Sequence, residues 1–384
     1  MQRIVAGLVI GALLGMFVPS EGGIAILGDV FVGALKAIAP LLVFFLVISS
    51  LCYAGKSHGG VIRTVIIMYM FSTFLAAIVA VTASSAFPVT LTLVDAATDM
   101  AAPQGVAEVL RTLLMNVVTN PVQSLVSANY IGILVWAVLI GIALRKASDT
   151  TKQSLNDISA ALSKTVTWII QCAPFGIMGL VYNTVSVNGL STFTEYGKLL
   201  AVLLGSMLFI YFVTNPILVF WCIRKNPYPL IFKCLKKSAI TAFFTRSSAA
   251  NIPINMEACA EMGLDKDTYS VTIPLGATIN MDGAAITITV MTLAAAHTLG
   301  IAVDIPSAII LSILATLSAC GASGVAGGSL LLIPMACSLF GISNDIAMQI
   351  VGIGFIIGVI QDSVETALNS SSDLSLIHIS EPTR

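Results

Sequence analysis

The chain has 384 residues, of which 57% are hydrophobic and 10% charged, with a mean hydropathy of +0.98 and a formal net charge of −1. Soluble domains carry roughly 25% charged residues, so this chain lacks the polar side chains to cover a water-facing surface and is read as an integral membrane protein. The balanced charge also excludes the basic footprint of a nucleic-acid binder.

An apolar run, IVAGLVIGALLGMFV at 4–18, comes first. It is short for a crossing of ~20 residues. No convincing small-x-small cleavage site follows Pro19, so it is read as a first crossing, shortened by a start downstream of the natural one, rather than as a cleaved leader. Stretches long enough to span a bilayer then fall near 28–53, 61–87, 109–145, 158–187, 197–223, 268–297 and 345–373, which makes eight transmembrane segments. The 109–145 stretch is too long for one crossing, and NPVQSLVSANYIG interrupts it, so a broken element is expected there.

Lysine and arginine set the orientation. Arg3 precedes the first span, and Lys56 and Arg63 lie between the second and third. Arg145, Lys146 and Lys152 follow the fourth, and Arg224, Lys225, Lys233, Lys236 and Lys237 follow the sixth. The alternate loops, 19–27 and 88–105, have neither residue. This alternation obeys the positive-inside rule with a cytoplasmic N-terminus.

Two stretches break the count. AITAFFTRSSAANIPINMEACAEM lies within 232–262, and AIILSILATLSACGASGVAGGSLLLIPMACSLF within 305–340. Each is apolar at its flanks and small or polar in the middle, at Thr245–Pro253 and Cys320–Ser329. Such middles leave backbone groups that hydrocarbon cannot satisfy, so each reads as a re-entrant hairpin shielded by protein or water. The first is flanked by lysines and dips from the cytoplasm; the second is flanked by Asp304 and Asp345 and dips from outside. Hairpin plus span occurs twice with opposite orientation, the inverted repeat that brings a substrate site to mid-membrane. Two ordinary helical pairs with packing glycines are the competing reading.

Between the hairpins, PLGATINMDGAAITITV interrupts an apolar span with Asn280, Met281, Asp282 and Gly283. An unwound stretch there exposes main-chain carbonyls beside an amide and a carboxylate, hard oxygen ligands that suit Na⁺. An ionised Asp at the bilayer centre costs about 2.5–3.5 kcal/mol on insertion scales, which a bound cation would offset. In the last span, Asp362, Glu365 or Thr366, Asn369 and Asp373 recur at helical spacing on one face, which points to a lined cavity. The seven cysteines (52, 172, 222, 234, 259, 320, 337) read as small packing residues in apolar runs, with a metal site as the alternative. Neither HExxH nor a Walker loop occurs, so a zinc protease and an ATP-driven pump find no support, and no catalytic pairing for an intramembrane protease is evident. The closing LSLIHISEPTR looks like a translated sequencing adapter, so 374–384 is expected to lie outside the natural chain.

TRSSAANIP, GATINMDGAA, ACGASGVAGGS and QDSVETALNSSSD, in this order, resemble the sodium:dicarboxylate/glutamate symporter family, nearest its bacterial serine/threonine branch. The resemblance covers essentially the whole chain up to Asp373. It implies an all-α integral membrane protein with eight transmembrane segments, two re-entrant helical hairpins in inverted repeats and an elevator fold. It further implies a homotrimer in a bacterial inner membrane that imports serine or threonine with co-transported Na⁺ and no organic cofactor. Residues 1–60 and 88–190 would form a scaffold; 61–87 and 195–373 would form a transport domain that moves as one body.

Carried over by motif, Asp362 would take the substrate amino group, and Thr366 and Asn369 would lie near its carboxylate. Main-chain groups around Arg246, Ser247, Ser248, Val325 and Gly327 would complete the cradle. One sodium would sit with Gly276, Asn280, Asn369 and Asp373. A second would use main-chain oxygens of Thr278, Met281, Ser318, Ala319 and Ala322. A third would involve Tyr69, Ser72, Thr73, Asn280 and Asp282. Members that carry acidic substrates have an arginine where Glu365 stands and a threonine where Ala284 stands. Glu365 would repel an acidic side chain, and Arg246 is expected to hold it. Carriage of other neutral or acidic amino acids, proton coupling, and a membrane enzyme or channel are the alternatives.

Overall fold

The computed structural model describes residues 2–18, 22–53, 59–93, 114–115, 117–320, 322 and 327–378, and every regular element among them is helical. α1 spans Gln2–Phe17, α2 Gly22–Tyr53 and α3 Gly59–Ala86. Two shorter helices follow, α4 at Pro121–Val126 and α5 at Tyr130–Ala143. α6 (Asp149–Gln171) and α7 (Ala173–Asn188) meet at Cys172 with a bend of 55°. Pro174 has no N–H with which to continue the ladder of α6. α8 (Thr192–Phe209) passes through a π-turn at Ile210–Thr214 into α9 (Asn215–Ile223).

The first helical hairpin consists of α10 (Tyr228–Cys234), a π-turn at Leu235–Ala239, α11 (Ile240–Thr245) and the return helix α12 (Ser248–Glu261). α13 (Lys266–Ile279) and α14 (Asp282–Thr298) flank a break at Asn280–Met281. α15 (Ile305–Ala319), α16 (Ile333–Ser338) and α17 (Asn344–Ile377) complete the described chain. Side-chain caps start several of these helices, since the first N–H groups of a helix lack internal partners. Ser247 accepts from Ala250 N at 3.2 Å, Asp265 from Thr268 N at 2.9 Å and Asp304 from Ser307 N at 2.9 Å.

By length and composition, five helical runs among the described residues can cross a membrane: Gly23–Ser49, Arg63–Ala86, Thr192–Trp221, Lys266–Thr298 and Asn344–Ile377. The bent α6–α7 pair makes a sixth if it counts as one span. Eight are expected from the sequence. α1, with 16 residues, is short for a crossing of ~20 residues. The stretch 109–145 falls partly outside the described residues, and its described part divides into α4 and α5 at the polar interruption. α17 continues past Asp373 to Ile377, with Leu374, Leu376 and Ile377 buried.

Packing separates two groups of helices. α1 lies along α7 with Gly7, Gly11 and Gly15 turned inward, so close that added Cβ atoms would strike the carbonyl oxygens of Pro174, Met178 and Tyr182. Small residues at every fourth position let membrane helices approach to backbone contact, where dispersion forces act without help from water. α2 packs on α5, α6 and α7. In the second group α14 is central; every residue from Asp282 to Ala296 is buried, against α3, α8, α15 and α17. The groups meet through Phe31 and Phe355, edge to face at 5.2 Å, and through an ion pair between Lys36 and Asp345.

Candidate functional site

The break at Asn280–Met281 supplies the geometry from which the site is built. Asn280 has φ −98 and ψ 79, and Met281 φ −117 and ψ 54, neither of them helical. The Met281 N–H donates to Thr73 Oγ1 at 3.2 Å on α3. Asn280 Nδ2 donates across to α17, to Ser372 Oγ at 2.7 Å and Asp373 Oδ1 at 2.9 Å. Its carbonyl Oδ1 is buried without a hydrogen-bond partner. The crossing is close: a Cβ on Gly276 would come within 2.8 Å of Asp373 Oδ1 and 3.0 Å of the Tyr69 ring. On Gly283 it would come within 2.9 Å of Glu365 Cα.

The α3 residues singled out from YMFST converge on the same place. Ser72 Oγ lies 3.0 Å from Asp282 Oδ2 and 3.3 Å from Asn215 Oδ1. Thr73 Oγ1 lies 3.3 Å from Asp282 Oδ1, and Tyr69 Oη donates to the Asp373 carbonyl at 3.1 Å. Asn215 is a neighbour that sequence spacing does not reveal; a π-turn precedes it, and Pro216 beside it interrupts the regular ladder.

Donor supply differs among the carboxylates. Hydrogen bonds to charged groups contribute about 1.5–3 kcal/mol each, the same order as the cost of an acid at mid-membrane. Glu365 receives three such bonds, and Ser72, Thr73, Ser372 and Asn215 all face Asp282. Among the described residues, one side-chain donor reaches Asp373, Asn280 Nδ2. A buried carboxylate with one donor, beside an amide oxygen with none, is the chemistry of a hard-cation site. No group of three His, Cys, Asp or Glu stands together among the described residues.

The other half of the stripe faces the hairpin tips. Asp362 Oδ1 accepts from Gly327 N at 3.2 Å, and its Oδ2 lies 3.7 Å from Arg246. Arg246, at the first tip, adopts a left-handed conformation with φ 51. Arg246 is thus paired with Asp362 and not with Glu365, contrary to the expectation from charge alone. Thr287, Ser329 and Gln361 hold Glu365 instead. Asn369 Oδ1 accepts from Gly283 N at 2.7 Å, its Nδ2 faces Met281 Sδ, and Thr366 Oγ1 donates to its own helix at Asp362 O. Ser247 caps α12 and Ser248 is buried at its first turn. A small cavity of ≈ 20 Å³ is lined by Ile170, Arg246, Gly327, Phe355 and Asp362.

Of the expected main-chain ligands, Thr278 lies in the last turn of α13, Ser318 and Ala319 end α15, and Ala322 N donates to Ala319 O at 2.9 Å. Cys320 Sγ lies 3.7 Å from Ile279 O, which places the end of α15 beside the break. Val325 lies outside the described residues. A further polar knot, absent from the sequence expectations, joins the first hairpin to α17. Asn251 Nδ2 donates to Ser370 Oγ at 2.7 Å and Ser238 Oγ at 2.9 Å, and Asn255 Nδ2 to Ser370 O at 2.8 Å.

A family model described as the sodium:dicarboxylate symporter family matches residues 1–380. The serine/threonine transporter SstT of Streptococcus thermophilus is 56% identical over 384 residues, 100% of this chain and 96% of that one. The serine/threonine transporter SstT of Bifidobacterium adolescentis is 57% identical over 380 residues, 99% of this chain and 88% of that one.

Proposed function

Because the chain belongs to the sodium:dicarboxylate symporter family, we propose that it is a sodium-coupled symporter of serine and threonine. The names of its relatives support this substrate. It is a transporter and not an enzyme. The observation that carries the sodium reading is the pairing of Asn280 with Asp373 across the helix break, with the Asn280 carbonyl oxygen unpartnered.

In this reading Na⁺ is cargo. Asp373, Asn280 and Asn369, with the Gly276 carbonyl, hold one ion; Tyr69, Ser72, Thr73, Asn280 and Asp282 hold another. Main-chain oxygens of Thr278, Met281, Ser318, Ala319 and Ala322 serve a third. The substrate ammonium replaces Arg246 as the partner of Asp362, and Asn369 Nδ2 and Thr366 turn to the substrate carboxylate. Main-chain groups of Ser247, Ser248, Val325 and Gly327 close over it.

The two packing groups support a division of labour. α1, α2 and α4 to α7 act as scaffold, and α3 with α8 to α17 as a transport body carrying the site across an inner membrane. The N-terminus is cytoplasmic, the hairpins re-enter from opposite faces, and three copies associate. The proposal is tested with purified protein in liposomes under an inward sodium gradient. Labelled serine should accumulate, excess threonine should compete and glutamate should not. Accumulation without sodium would reject the coupling, and uptake of glutamate equal to that of serine would reject the substrate class.

A further inference from the structure

Glu365 is 5% exposed, and all three of its hydrogen bonds end on one oxygen. Oε2 accepts from Thr287 Oγ1 at 2.7 Å, Ser329 Oγ at 2.9 Å and Gln361 Nε2 at 2.5 Å. Gln361 Nε2 also donates to Thr287 Oγ1 at 2.7 Å, which closes a triangle. The donors come from α14, from the turn before α16 and from one turn earlier on α17. Behind the side chain there is no slack, since Gly283 lies so close that a Cβ would meet Glu365 Cγ at 2.9 Å.

This tether is asymmetric. A carboxylate offers about four acceptor positions. Three donors crowd Oε2, while Oε1 has no donor among the described residues. Every group on the tether is neutral, and Arg246 is engaged by Asp362. A buried carboxyl group presenting one open oxygen selects a ligand that brings a hydroxyl and is poorly satisfied by a methyl group.

We infer that Gln361, Thr287 and Ser329 are positioning residues for substrate choice, holding Glu365 by Oε2 so that Oε1 accepts the side-chain hydroxyl of a small neutral amino acid. The inference rests on the reading of the α17 stripe as the substrate site. That one hydrogen bond gives serine a preference over alanine of up to about 10-fold. Without the tether the carboxylate turns, and serine loses an advantage that alanine never had.

The test uses full-length protein in liposomes under a sodium gradient, with KM read separately for serine and for alanine. Thr287→Val removes one donor at nearly constant volume, and Gln361→Ala removes another. Each should raise KM for serine about 10-fold without raising that for alanine. Thr287→Ser, which keeps the hydroxyl, should retain the parent ratio. A serine-to-alanine ratio in Thr287→Val equal to that in Thr287→Ser would overturn the tether while leaving the transport reading intact. Absence of sodium-driven serine uptake in the unmodified protein would overturn both. Should Gln361→Ala fail to fold, the Thr287 pair decides alone.

Discussion

Asn280 Nδ2 reaches Asp373 Oδ1 at 2.9 Å across the break between α13 and α14, while the Asn280 carbonyl oxygen, equally buried, meets no donor. One amide thus satisfies an acid with its donor side and offers its acceptor side to something that is not a donor. A cation fits both facts. The break gives Asn280 this reach, because a regular helix through 279–282 would place the side chain on a fixed face.

Loss of that amide should act on sodium first. Asn280→Ala is expected to raise the sodium concentration for half-maximal serine uptake about 10-fold or more, by about 1.4 kcal/mol per decade. At saturating sodium, KM for serine should change less. An unchanged sodium dependence would remove Asn280 from the ion site.

The Arg246–Asp362 contact at 3.7 Å predicts coupled energetics. Thermal unfolding in detergent should show non-additivity between Arg246→Gln and Asp362→Asn of about 0.5–3 kcal/mol, the range for residues in contact. The same cycle with Glu365→Gln should be additive within about 0.5 kcal/mol. The reverse pattern would restore the pairing that charge alone suggests.

Close approach sets a second stability test. Gly283→Ala would place Cβ within 2.9 Å of Glu365 Cα, and the backbone of α17 cannot give way cheaply. Overpacking of this kind costs about 1–3 kcal/mol. Gly205→Ala on α8 meets nothing within 4 Å and should be neutral or slightly stabilising, since alanine is the better helix former. Melting temperatures of the two variants in one detergent check the contrast.

The Asn251 knot predicts a cost where the first hairpin meets α17. Asn251→Leu would strip Ser370 and Ser238 of a buried donor, at about 1–3 kcal/mol. The first hairpin should loosen before the rest of the protein. Amide exchange in α12 rising well ahead of exchange in α14 is the expected result, and equal protection in both would count against it.

Much of the architecture is legible in the residues themselves. The polar interruption at Asn280 and the small polar turn at Arg246–Ser247 contradict a lipid-facing helix strongly enough to be placed within a residue or two. The recurrence of Asp362, Glu365, Asn369 and Asp373 assigns them to one face because helical period is local. What is hidden depends on contacts distant in sequence. Thr287 sits in an apolar run and reads as packing until α17 brings Glu365 against it. Asn215 is indistinguishable from a helix-contact residue until α3 places Ser72 at 3.3 Å. The partner of Arg246 could not be read, because Asp362 and Glu365 lie on adjoining parts of one helix and three neutral donors settle which acid needs a cation. The bend at Cys172 is likewise unmarked in the apolar pattern of 158–187, although Pro174 lies in the first turn of α7.

Co-uptake of labelled sodium and labelled serine into proteoliposomes, measured together for the unmodified protein and Asp373→Ala, tests most directly whether the broken span carries an ion. Sodium entry should rise with serine entry in the unmodified protein, and both should fall to background in Asp373→Ala. Serine entry that proceeds equally when choline replaces sodium, or sodium entry that survives Asp373→Ala undiminished, would contradict the account.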